Sequence, residues 1–125
     1  MFYNKTIFGG DQMGIFSAGR RIEEAKTALV AKYLFQKLSI HEKNEVLELA
    51  NVRLSEGGYN KNVDQLEEKV QWIFWGLAMA ELGIDHGLHG FRWIYVKNPF
   101  MTFRIKDNHW KVATDMLNKK YHLNI

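Results

Sequence analysis

Cysteine is absent from these 125 residues and proline occurs once. The first absence excludes a disulfide framework, a thiolate metal site and a cysteine nucleophile. The second leaves nothing that reads as an interdomain linker, and no internal repeat or low-complexity tract divides the chain. Residues 1–125 are therefore expected to form a single globular domain. A chain of this length buries about two thirds of its unfolded surface without help from metals or disulfides, so nothing structural calls for a cofactor and none is expected. Long hydrophobic runs are missing too. The most apolar stretch, VQWIFWGLAMAELG, falls well short of the roughly 20 residues that cross a bilayer. The opening MFYNKTIFGGDQMG lacks the apolar middle of a signal peptide. The expectation is a small soluble cytoplasmic protein with no membrane partner.

Charge of one sign is scarce only locally. The chain has 17 Lys and Arg against 14 Asp and Glu, a formal +3. Acidic residues gather between Glu23 and Glu81. From Gly87 onward the only side-chain carboxylates are Asp107 and Asp115, against Arg92, Lys97, Arg104, Lys106, Lys111, Lys119 and Lys120. The basic last third permits a polyanionic partner.

Apolar periodicity gives four helices. The first runs from Ser17, as N-cap, to about Leu38, with Ile22, Ala25, Leu29 and Tyr33 along one stripe and Val30, Leu34 and Leu38 widening it. A face that broad implies two neighbours. SIHE at Ser39–Glu42 has the form of a capping box and opens a second helix ending near Glu56, its inner face Ile40, Leu47, Ala50 and Leu54. GGYNKN is a loop, with Gly57 placed for the left-handed conformation. The third helix starts at Asn62 or Val63 and ends at Leu82, charged at first and apolar nearly all round from Val70. Gly76 should let another backbone come close. A fourth, capped by Asp107, turns Trp110, Ala113, Leu117 and Tyr121 inward.

Between the last two helices FRWIYVKNPFMTFRIK places two aromatic and β-branched runs around Asn98-Pro99, a type I turn opening. This predicts a β-hairpin over residues 91–106 and an α+β fold, with FYNKTIF at the N-terminus as a possible third strand. In that register Trp93 faces Arg104, Phe91 faces Lys106 and Tyr95 faces Thr102; the opposite, core face pairs Val96 with Met101, Ile94 with Phe103 and Arg92 with Ile105. One hairpin face then combines aromatic rings with cations, as surfaces for single-stranded nucleic acid do. Arg92, Trp93, Tyr95, Arg104 and Lys106 are thus the candidate ligand-binding residues, for a nucleic acid or nucleotide, with Arg20-Arg21 and Lys119-Lys120 extending a basic track. The competing account of the same residues is a structural cation–π pair.

Two other functions are compatible with the residues. Trp72, Phe74, Trp75 and Met79 on the third helix exceed what one small core readily absorbs, which suggests a protein partner or a homo-oligomer, in an adaptor or inhibitor. ELGIDHGLHG supplies Glu81, Asp85, His86 and His89, side-chain types that could hold zinc or iron in a small metal-dependent enzyme. Against the metal, Gly83 followed by Ile84 has the form of a helix C-cap, and Asp85, Gly87 and Gly90 are turn formers. No nucleophile elbow or phosphate loop is present, and Ser17, Ser39 and Ser55 read as caps or helix ends. A winged helix-turn-helix is disfavoured, because WIFWGLAMAEL offers no polar basic face to a major groove.

Overall fold

A computed structural model describes residues 10–88 and 90–125 of the chain, with side chains from Ala18 onward. Helix α1 spans Gly10–Phe35, α2 Ile40–Glu56, α3 Glu68–Leu82 and α4 Asp107–Tyr121. The long α1 is the spine: it packs on both α3 and α4, and α3 packs in turn on α2. Its buried face includes a run of small residues, Ala25, Thr27, Ala28 and Ala31, all but inaccessible beside the larger Val30 and Leu34. Short side chains let two helices approach the same rod closely, which is the physical content of the two-neighbour expectation. The backbone of Ser17 lies within α1 instead of capping it.

Ser39 and Glu42 form the reciprocal capping box at the start of α2, each side chain accepting a backbone N–H of the other at 3.1 Å. Val46, Ala50 and Leu54 face the core, while Ile40, expected inward, is 74% exposed. The left-handed residue after α2 is Gly58 (φ +90), not Gly57 (φ −78).

The third helix begins later than its sequence pattern suggests. Val63–Gln65 form a single 3-10 turn, tied to α2 by the Val63 N–H donating to Asn51 Oδ1 at 2.7 Å. Leu66 is extended, and Glu67 then caps α3, its carboxylate accepting from the Lys69 and Val70 amides. A capped junction with a buried Val63 is better satisfied than a continuous helix that leaves that anchor unmade.

Within α3, Gly76 sits against α1. A Cβ there would meet the Thr27 methyl at 3.1 Å, the Trp93 ring at 3.3 Å and Ala31 Cβ at 3.4 Å. The helix ends as the sequence indicated, with Gly83 left-handed and the Ile84 N–H returning to the Met79 carbonyl at 2.9 Å. Lys106, not Asp107, is the N-cap of α4, its N–H donated to His109 Nδ1 at 3.0 Å. Ala113 and Leu117 are buried along α4, and Trp110 meets Trp72 edge-on.

The β-hairpin is not formed, and the expected α+β class is replaced by an all-helical one: the described residues contain no strand. Residues 91–96 run as a single ribbon across the helices, paired with no strand among the described residues. Asn98-Pro99 does open a turn, with the Met101 N–H reaching the Asn98 carbonyl at 3.1 Å. The chain then continues as a 3-10 stretch, Pro99–Arg104, instead of returning alongside itself. The Asn98 side chain favours that course by accepting the Phe100 N–H at 3.2 Å. Helices supply the partners that a second strand was expected to provide: Thr27 Oγ1 accepts the Ile94 N–H at 3.4 Å, and Arg20 donates to the Tyr95 carbonyl at 2.7 Å. The possible N-terminal strand lies outside the described residues.

Candidate ligand-binding site

The ribbon turns four side chains onto the helices and leaves Arg92, Tyr95 and Lys97 exposed. Val96 is buried, and Phe91, Trp93 and Ile94 are half-buried on the helices. Trp93 is fixed at both ends of its indole, with Nε1–H donated to the Ile84 carbonyl at 3.3 Å and the ring edge against Gly76. Phe91 meets it edge-on at 5.0 Å. Tyr95, by contrast, is 72% exposed.

On one side of the ribbon lies a groove of about 750 Å³. Its walls include Tyr59, Phe74, Trp93, Tyr95 and Phe100, with the C-terminal halves of α2 and α3 behind them. Phe100 lies 4.5 Å from Tyr59 and 5.8 Å from Phe74, ring centre to ring centre, so the 3-10 stretch is clamped onto the groove by aromatic contacts. Arg53 and Glu81 close one end in a two-pronged ion pair, Nε and Nη2 at 2.9 and 2.6 Å from the two carboxylate oxygens, and Arg53 also holds Glu56 at 2.8 Å. Hydrogen bonds from Arg53 hold the Glu81 carboxyl below its ordinary value, and those to Glu81 and then Glu56 raise the guanidinium further.

A second cavity, of about 520 Å³, opens on the other side. It gathers Arg20, Arg21, Lys97 and Arg104 around a single carboxylate, Glu24. Arg21 binds Glu24 at 2.7 Å and Arg20 approaches it at 3.8 Å, leaving Lys97 and Arg104 without an acidic partner among the described residues. Val96, Lys97 and Asn98 belong to both cavities, so three residues of ribbon form the wall between an aromatic groove and a cationic one.

The five residues singled out from the sequence are therefore not on one face. Trp93 and Tyr95 line the aromatic groove, Arg104 the cationic cavity, and Arg92 a third recess. Lys106 caps α4, its ammonium 3.4 Å from the Phe103 carbonyl. No Trp93–Arg104 pair exists, because the register that would create it requires the absent hairpin. Of the core face expected with it, Val96 and Ile105 are buried but Phe103 is 68% exposed. Tyr59, Phe100 and Lys97 were not selected from the sequence. Their only signal was position: an aromatic after a glycine pair, and an aromatic and a lysine flanking Asn98-Pro99.

The metal candidates are dispersed in the same way. Glu81 is committed to Arg53, Asp85 accepts the Gly87 N–H at 3.2 Å in a turn, and His86, with φ +43, places Nε2 3.1 Å from Glu42. His89 lies outside the described residues. No group of three or more potential ligands converges among the described residues. Gly87 and Gly90, read as turn formers, are both at positive φ.

No helix among the described residues is long and apolar enough to cross a membrane. The fold and the cavities define an all-helical domain crossed by a ribbon that separates two clefts. Comparison with known proteins found no matching family model, no matching curated protein and no matching solved structure.

Proposed function

We propose that this is a binding protein for a ligand that joins an aromatic ring to phosphate, a nucleotide or single-stranded nucleic acid, acting in the cytoplasm where such ligands are found. The observation that supports it is the shared wall at Val96–Asn98, which sets an aromatic groove directly beside a cavity of four cations and one carboxylate. The groove lies within the size range of small-ligand sites. Tyr95 offers an exposed ring for stacking, and Lys97 and Arg104 offer cations not neutralised among the described residues; base stacking and phosphate contact are the two terms such recognition needs. Trp93, held at Ile84 and Gly76, serves as the rigid floor.

The test is fluorescence anisotropy of labelled nucleotides and single strands at several salt concentrations, with Tyr95→Ala and Arg104→Ala alongside. Both side chains are exposed, so both variants fold. Loss of the stacking ring should weaken binding by about 1–3 kcal/mol at every salt concentration. Loss of Arg104 should weaken it mainly at low salt and flatten the salt dependence. Folded protein that binds neither ligand at low salt refutes the proposal.

A further inference from the structure

The ribbon meets a third cavity at its other end. Gly90, Phe91 and Arg92 leave the α3 turn beside the end of α4, and a recess of about 540 Å³ opens there. Its charged lining repeats the composition of the first cationic cavity: Lys26, Arg92, Lys119 and Lys120 around one carboxylate, Glu23. Lys26 is spent on Glu23 at 2.9 Å and Lys120 lies over the Tyr121 ring at 5.3 Å. Arg92 and Lys119 are exposed and form no ion pair among the described residues. Phe91 and Tyr121, ring centres 6.2 Å apart, give this recess an aromatic side as well.

The two cationic cavities share no lining residue, and between them along the chain lies the aromatic groove. From Arg92 to Asn98 the ribbon can span up to about 20 Å. A stacked strand advances about 3.4 Å per phosphate, so that interval admits roughly six nucleotides, and fewer where bases are splayed apart. One mononucleotide has one cluster of phosphates and can fill one cationic cavity. Resting on the function proposed above, we infer that the ligand is a single strand laid along residues 90–105, with phosphates in the cavities at both ends and bases over the aromatic groove between them.

The experiment titrates a mononucleotide and oligothymidylates of two, four and eight residues against the folded protein, at salt concentrations from low to physiological. An Arg92→Ala/Lys119→Ala variant and Arg104→Ala are titrated in parallel, with helical circular dichroism as the check on folding. Affinity should rise from the mononucleotide to the eight-residue strand. The double variant should lose that gain, with its salt slope on the longest strand reduced by about 1.4, or about 0.7 for each phosphate contact removed. It should weaken strands more than mononucleotide. If the longest strand gains nothing over the mononucleotide, or the double variant matches the parent on it, the strand inference fails while the nucleotide reading survives through Arg104. Absence of binding by every probe overturns both.

Discussion

Gly76 shows how a residue's role becomes visible only when its neighbours are known. The sequence marks it as a point of close approach, but not that the approaching parts are Thr27, Ala31 and the Trp93 ring at once. The same holds for His86. Its neighbours in the chain suggested a metal; its neighbour in space is Glu42, the residue that also caps α2. The Ser39 N–H chiefly, and His86 next, hold the Glu42 carboxyl below its ordinary value of 4.5. A carboxyl whose folded value lies below its unfolded one favours the native state above the unfolded value, and that contribution disappears as pH falls through the folded value. Glu42→Gln should therefore be less stable than the parent near neutrality, with the two unfolding midpoints converging as pH is taken below about 4.5. Denaturant titrations at pH 7 and at successive steps below 4.5 measure this. A gap that stays constant with pH would assign the cap no electrostatic part.

At the scale of elements, periodicity and capping signals carried the four helices, because each is written within its own segment: Ser39 and Glu42 for the start of α2, Gly83 and Ile84 for the end of α3. The ribbon was not legible for a definite reason. FRWIYV has the composition of a strand, and strand propensity measures fitness for a half-buried, extended surface. Residues 91–96 have that surface, but helices provide it. Nothing local distinguishes a strand paired with FMTFRI from an extended chain lying on α1 and α3; Thr27 and Arg20, more than sixty residues away, decide the matter. The binding residues inherit the same error, since Trp93, Tyr95 and Arg104 were joined by a register that does not exist. Amide hydrogen exchange separates the two arrangements. Among the described residues, the only partners found for amides within 91–97 are the Leu88 carbonyl for the Phe91 N–H and Thr27 Oγ1 for the Ile94 N–H. The amides of Arg92, Trp93, Tyr95, Val96 and Lys97 should exchange far faster than those of α1 and α3. Protection alternating along both runs, at Trp93, Tyr95 and Lys97 and at Phe100, Thr102 and Arg104, would instead indicate the hairpin.

For the whole molecule, the surplus of aromatic side chains that suggested self-association is largely taken up inside one chain. Trp72 and Phe74 are 7% and 6% exposed and Met79 is inaccessible. Trp75 stacks on Phe35 with ring centres 4.2 Å apart. Among the described residues, the large apolar groups left outside are spread over separate elements: Ile40 and Val52 on α2, Tyr59 after it, Leu82 on α3, Tyr95 on the ribbon, Phe103 on the 3-10 stretch, Val112 and Met116 on α4 and Ile125 beyond it. Single exposed apolar residues are ordinary on a monomer; a stable dimer needs a continuous interface of at least about 1,000 Å². Like-charged cavities at the two ends of the ribbon also disfavour a second copy approaching there. Sedimentation equilibrium at micromolar concentration should accordingly return a mass near 14.7 kDa, unchanged between low and physiological salt. A mass of twice that, insensitive to salt, would locate the association on an apolar face. Val112→Lys/Met116→Lys on α4 would then be the first variant to examine, because those two side chains stand one turn apart on an exposed side of a helix whose neighbouring stripe, Ala113 and Leu117, is already committed to the core.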